Sequence, residues 1–326
     1  MLFRSNKKQF EFNDKKDKIT NKEITQKIIY YCIPLIVISV TNDLYNIIDI
    51  KLIIKGLYII GMNGSDAELI ASMISTWCPK ICMIVTAISM GLATSLMPHL
   101  ISSYTKKDYK ASNDIFSEAI SMMLVLSFPL TIGIMILSKE VYCIFYGAST
   151  YGPDILTISI VVSLWIGTLT VINTTLQGFK KFKLIIVSTI IGLVSNAVLD
   201  IPLILLLNKL NFKPYFGTSL ATIIGTTISA LIVLIYLKKE INFSYKKIRS
   251  NAIKLIIPLI AMTIVVISIN YLFPYRINRV YCIVKCLITG VIGAVIYFYI
   301  LSKNNGLYAI FGKERIDKIY KKLHIK

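Results

Sequence analysis

Histidine is almost absent from this chain of 326 residues: only His99 and His324 occur. With six cysteines scattered through apolar segments, that is too few ligands for an ordinary zinc site. Cys78/Cys82 and Cys282/Cys286 are i, i+4 pairs that read as small packing residues on helices. There is no glycine-rich phosphate loop and no serine–histidine–aspartate arrangement. Neither an enzyme nor a cofactor is expected. Acidic residues are scarce too, 17 against 36 basic ones, for a net charge of +19. Such an excess can mark a nucleic-acid binder. Here the charges fall in short loops and tails between long apolar runs, and no basic segment is interleaved with stacking aromatics, which argues against nucleic acid. A cleavable signal peptide is not expected, because the first apolar run follows a long lysine-rich stretch and is itself long enough to span.

What is abundant is apolar side chain. Hydrophobic residues make up 55% of the chain, and its mean hydropathy is +0.69. That suits a polytopic membrane protein. A hydrocarbon core of ~30 Å takes about 20 apolar residues per span. Eight spans fit, at roughly 28–53, 75–101, 114–137, 155–177, 184–207, 216–237, 251–273 and 280–302. The expected fold is all-α, a membrane helical bundle. Lysine and arginine orient it: 26 of the 36 lie in the tails and in the loops after the second, fourth and sixth spans, against 6 in the loops of the other face. Both termini are therefore expected in the cytoplasm.

Small residues recur every fourth position in several spans. Examples are Ala87/Gly91/Ser95, Ser188/Gly192/Asn196/Asp200, Gly217/Ala221/Gly225/Ser229 and Cys286/Gly290/Ala294. That spacing lets helix backbones approach closely. Pro34, Pro129, Pro202 and Pro258 are expected to bend or end their helices.

Polar groups within spans are costly and invite a reason. Asn42, Asn46 and Asp49 fall at i, i+4, i+7 of the first span, with Asp43 beside them. By residue count, Lys80 and Asp200 lie near the same depth, in the outer half of the bilayer. One reading is a hydrated cavity lined by Asp43, Asn46, Asp49, Lys80, Asn196, Asp200 and Lys285. The other is that Asp49, Lys80 and Lys285 snorkel or pair near the interface. Short carboxylates reach less far, so Asp43 and Asp200 point to the cavity, while Lys285 at the start of the last span fits the interface. Trp165 is expected to face lipid or the interface.

GLATSLMPHLISSYTKKD (Gly91 to Asp108) resembles a helix-and-loop signature of the multidrug/oligosaccharidyl-lipid/polysaccharide exporter superfamily. FPLTIGIMILSKEVYCIFYG (Phe128 to Gly147) is similar to the following helix, with Glu140 where a proline is common. Leu176-Gln177-Gly178 before a basic turn, and Asn46 with Asp49 as N-x-x-D, add to the likeness. The nearest resemblance is to polysaccharide-biosynthesis and stage V sporulation protein B-like flippases, relatives of the lipid II flippase. The resemblance implies a second six-helix lobe over 28–240, joined by a cytoplasmic loop and two extra helices over 241–302. Residues 1–27 then read as a basic tail or inter-lobe connector, and 303–326 as a basic cytoplasmic tail. The first lobe is expected to lie elsewhere, on a complementary chain or a second copy.

The implied function is moving a lipid-linked oligosaccharide or peptidoglycan precursor across the cytoplasmic membrane by alternating access. Lys80 and Lys285 would attract pyrophosphate, while Asp43, Asn46, Asp49 and Asp200 would bind sugar hydroxyls or a coupling cation. Two alternatives stand beside it: a cation-coupled drug exporter of the same superfamily, and a non-transporting membrane subunit.

Overall fold

The computed structural model describes residues 21–240, 243–304, 306 and 307. The first 20 residues and the tail beyond 307, with His324, lie outside it. Among the described residues the secondary structure is helical: α1 (Asn21–Ile59), α2 (Gly64–Ser72), α3 (Cys78–Thr105), α4 (Tyr109–Ile136), α5 (Ser138–Tyr146), α6 (Gly152–Gly178), α7 (Phe182–Lys209), α8 (Phe216–Glu240), α9 (Lys246–Leu272) and α10 (Arg279–Lys303). Counting α2 and α3 as one rod, eight helices are long and apolar enough to cross a membrane. The expected all-α membrane bundle of about eight spans is what forms.

The helix ends follow from local chemistry. After α3, the N–H of Lys107 bonds Tyr104 O at 2.9 Å and that of Asp108 bonds Ser103 O at 3.0 Å. This double closure needs a left-handed residue, and Lys107 supplies it at φ 59°. Asp108 then caps α4 by accepting from Ala111 N at 2.9 Å. The same closure ends α1 on Gly61, α6 on Lys180 and α7 on Asn211. A π-turn over Met73–Trp77 joins α2 to α3. It lies just ahead of Pro79, whose missing N–H leaves the carbonyl of Ser75 without its helical donor.

None of the four expected prolines ends its helix. Pro34, Pro129, Pro202 and Pro258 all lie inside α1, α4, α7 and α9. Pro98 does too, in α3, which runs on to Thr105.

Two groups of helices make the bundle. α1, α7 and α8 pack together, as do α3, α4 and α6, and α6 against α8 joins the groups. α9 and α10 pair with each other and lie on α4 and α5. The main core runs through both groups, around Leu57, Ile70, Phe116, Met123, Ile155 and Ile172. A smaller one holds α9 and α10 to α4 through Met122, Val125, Leu255, Met262, Val266, Tyr297 and Leu301.

The small-residue stripes of α7 and α8 are buried, and the two helices meet there. Two other stripes pack differently from expectation. Ala87, Gly91 and Ser95 are exposed, and a Cβ on Gly91 would meet nothing within 4 Å. The side of α3 that packs carries Ser89 and Ala93 instead. On α10, Gly290 and Ala294 are likewise exposed; the packed stripe is Lys285, Thr289, Gly293, Tyr297 and Leu301. Small spacing permits close approach, but larger side chains on α10 find specific partners and take the packed face.

Candidate functional site

A cavity of about 470 Å³ opens between the two groups of helices. α1 contributes Asn42, Tyr45, Asn46 and Asp49. The π-turn and α3 contribute Ser75, Pro79, Met83 and Thr86; α6 contributes Ser159, Ser163, Thr170 and Asn173. α7 and α8 supply Thr189, Gly192, Ser219, Thr222, Gly225, Thr226 and Ser229. Hydroxyls and amides dominate its polar lining, and among the described residues Asp49 is its only charged lining residue. Several of these hydroxyls are pinned to their own helix. Thr222, Thr226 and Ser163 donate to the carbonyls four residues earlier, at 3.0, 2.7 and 2.9 Å. That satisfies them in a span without a second helix.

Asp49 lines the cavity from α1. Asn196 of α7 donates its side-chain N–H to Asp49 Oδ1. Thr222 of α8 reaches Asp49 Oδ2 at 3.4 Å. One helical turn beyond Asn196, on the same face of α7, Asp200 is fully buried at 0% exposure. It lies within hydrogen-bonding reach of Asp49. Two carboxylates have no proton to donate to each other, and neither oxygen of Asp200 has a donor. Asn196 Oδ1 and Thr218 Oγ1 are also buried without a partner.

Side chains from three helices thus meet here: Asp49 with Asn196 and Thr222, and Asp200 beside Asp49. Asp200, buried beside a second carboxylate and with no donor of its own, is expensive and calls for a positive charge beside it, a proton or a cation. All-oxygen donors suit a hard cation. Among the described residues there is no group of three histidine, cysteine, aspartate or glutamate side chains of the kind that holds a transition metal.

The expected site residues therefore divide. Asn46 and Asp49 line the cavity, and Asn196 and Asp200 sit directly behind Asp49. Asp43 and Lys80 are exposed and lie outside the lining; Lys80 directly follows the lining residue Pro79. Lys285 is elsewhere. It is 5% exposed, and its ammonium bonds Glu140 Oε1 of α5 and Asn270 Oδ1 of α9, each at 2.6 Å. The cavity placement of Lys285 is corrected accordingly: it does not snorkel either, but closes an ion pair with a carboxylate that is 1% exposed. Asp49 is turned toward α7 and α8, and Asp200 is buried within the bundle.

Sequence reasoning passed over Tyr45, Thr218 and Thr222. A signal was present for each. Tyr45 precedes Asp49 by one turn, and Thr218, Thr222 and Thr226 run at four-residue spacing beside the glycine stripe of α8.

Fold and site together define a multi-pass membrane helical bundle with a polar cavity lined by Asp49, behind which lies the buried Asp200. A family model described as Lipid II flippase MurJ matches residues 81–292. The chain belongs to that family. The Lipid II flippase MurJ of Bacillus subtilis (strain 168) is 26% identical over 312 residues, which cover 93% of this chain and 56% of the relative. A solved structure, "Lipid II flippase MurJ, inward closed conformation", superposes with a TM-score of 0.63 at 19% identity over 88% of this chain and 56% of the other. That likeness concerns the fold. The chain spans a little over half the length of the relatives it matches.

Proposed function

We propose that this chain is one lobe of a membrane flippase for a lipid-linked peptidoglycan precursor, and that it contributes the coupling-cation site. Family membership supports the substrate class. The observation that carries the coupling role is the buried, donor-free Asp200 beside Asp49, a lining residue of the polar cavity. A group so costly is retained for a reason other than stability. The precursor itself would bind across the open side of the lobe, where Asn42, Asp43, Asn46 and Lys80 are exposed, with Lys80 attracting pyrophosphate. Alternating access needs a second body rocking against this one. A complementary six-span lobe, or a second copy, supplies it.

The charge asymmetry supports cytoplasmic termini. In a Cys32→Ser background, Ser65→Cys should react with an impermeant thiol reagent from outside, and Lys106→Cys should not.

The functional test is reconstitution in liposomes carrying a fluorescent lipid-linked saccharide. The chain alone should not flip it. With its complement, flipping should be saturable, cation-dependent and lost in Asp200→Asn. A monomer that flips by itself would sink the lobe reading. Persistence of cation-dependent flipping in Asp200→Asn would sink the coupling role. A complemented particle that binds its partner yet never transports would indicate a non-transporting subunit.

A further inference from the structure

We infer that Cys143 of α5 and Cys282 of α10 form a reversible disulfide, a covalent modification site that ties the C-terminal helix pair to the rest of the bundle. The inference does not depend on what the lobe carries.

Glu140 and Lys285 fix how these two helices meet, with their side chains bonded at 2.6 Å. Residues three apart share a helix face. Cys143 comes three residues after Glu140, and Cys282 three before Lys285. An antiparallel crossing that joins the charged pair therefore sets the two thiols opposite each other. They lie within hydrogen-bonding reach of one another. Both are free thiols, and both side chains are buried, at 1% and 0% exposure. Cys286, four residues after Cys282 on the same helix, is a poor alternative partner. Positions so spaced hold their Cβ atoms about 5–6 Å apart, whereas a disulfide needs about 3.5–4.5 Å.

The loop between α9 and α10 gives access. The Cys282 thiol donates to Arg276 O at 3.4 Å, and the Tyr275 hydroxyl is within reach of Cys143. Tyr275 is half-buried, while Phe273, Pro274, Arg276 and Ile277 around it are exposed. The thiols thus touch a surface loop and are not enclosed by helices alone. In the orientation proposed above this loop faces outward, the side on which disulfides form and persist. The oxidant is a small-molecule disulfide. One cysteine attacks it as the thiolate, giving a mixed disulfide and releasing one thiol; the other cysteine then displaces the second. The two cysteine sulfurs are oxidised, the small disulfide is reduced to two thiols, and the protons that the cysteines lose go to those thiols.

The test treats the purified, folded full chain with oxidised glutathione. It reads intact mass, the non-reducing peptide map and the unfolding midpoint in detergent. Cys32 is exposed, and its uptake of glutathione shows that the reagent is active. The wild type should gain a Cys143–Cys282 link with the loss of two hydrogens, and its midpoint should rise by several degrees. A dithiol reductant should reverse both. Cys286→Ser should behave like the wild type. Cys143→Ser and Cys282→Ser should show neither the link nor the rise; if these two fail to fold, the wild type alone decides. Full modification of Cys32 with no Cys143–Cys282 link in the native protein overturns the inference. So does a link that forms only after unfolding, or one that joins Cys286 instead. A link that leaves the midpoint unchanged overturns the tying role.

Discussion

The hydroxyl of Tyr297 on α10 donates to the main-chain oxygen of Val125 on α4 at 2.9 Å. Val125 stands four residues before Pro129, so its carbonyl is the one that the proline cannot pair. The last helix thereby supplies the donor that α4 lacks at Pro129. Two more polar links tie α9 and α10 to α4 and α5. Asn251 of α9 donates to Ser121 Oγ of α4 at 3.0 Å, and Lys285 pairs with Glu140 of α5 at 2.6 Å. The C-terminal helix pair is fastened to α4 and α5 at three places.

Tyr297→Phe should therefore cost about 1–3 kcal/mol, the effect of leaving a buried acceptor unpaired. Adding Pro129→Ala restores an N–H four residues after Val125. In the double variant the tyrosine change should cost less than 1 kcal/mol, and the cycle should show coupling. Unfolding midpoints in detergent measure this. Equal costs in both backgrounds would mean the hydroxyl does not serve the proline break.

The buried pair of Lys285 and Glu140 gives a sharper contrast. Lys285→Met strands a carboxylate and should cost about 3–5 kcal/mol. Lys285→Met with Glu140→Leu removes both charges and should recover most of it, or exceed the parent. Membrane abundance and midpoint report this together. A double variant as unstable as the single one would show that the pair is not the source of the loss.

The left-handed residues offer changes that touch no contact. Lys107 and Asn211 hold the conformation that Gly61 holds at the end of α1, at φ 59°, 51° and 82°. Lys107→Gly and Asn211→Gly should each stabilise by up to about 1 kcal/mol, through relief of a strained backbone. Gly61→Ala should cost a similar amount, since its Cβ would meet nothing within 4 Å and only the backbone is affected. A neutral Gly61→Ala would put this account of the helix ends in doubt.

The number of spans was legible because hydropathy over twenty residues is a local property. The α7 and α8 stripes were legible for the same reason, being written into single helices at one spacing. What escaped was pairing between distant positions. Glu140 stood out only as a departure from a common proline, and Lys285 only as a lysine near a span end. Nothing local says that 145 residues apart they meet. The exposed stripe of Ala87, Gly91 and Ser95 failed for a related reason: spacing shows that a helix can approach, not that this chain supplies one. Half of the candidate site was read through Asp49, Asn196 and Asp200. Tyr45 and the threonines were missed because their role depends on which helix α1 faces.

Asp200 carries the last prediction, because its two roles would show opposite signs. A structural carboxylate is held by donors, and removing it destabilises. Asp200 has no donor for either oxygen and faces a second carboxylate. In cation-free buffer it should therefore burden the fold, and Asp200→Asn, of nearly the same shape, should raise stability by about 1–3 kcal/mol. The same change should abolish stabilisation by added sodium. In the parent, that stabilisation should reach about 2.7 kcal/mol at a hundred times the dissociation constant. Asn196→Leu is the control. It removes the donor to Asp49 and should destabilise in either buffer. Midpoints with and without sodium decide the matter. A loss in Asp200→Asn as large as that in Lys285→Met, with the sodium response intact, would make Asp200 a structural group and remove it from the site.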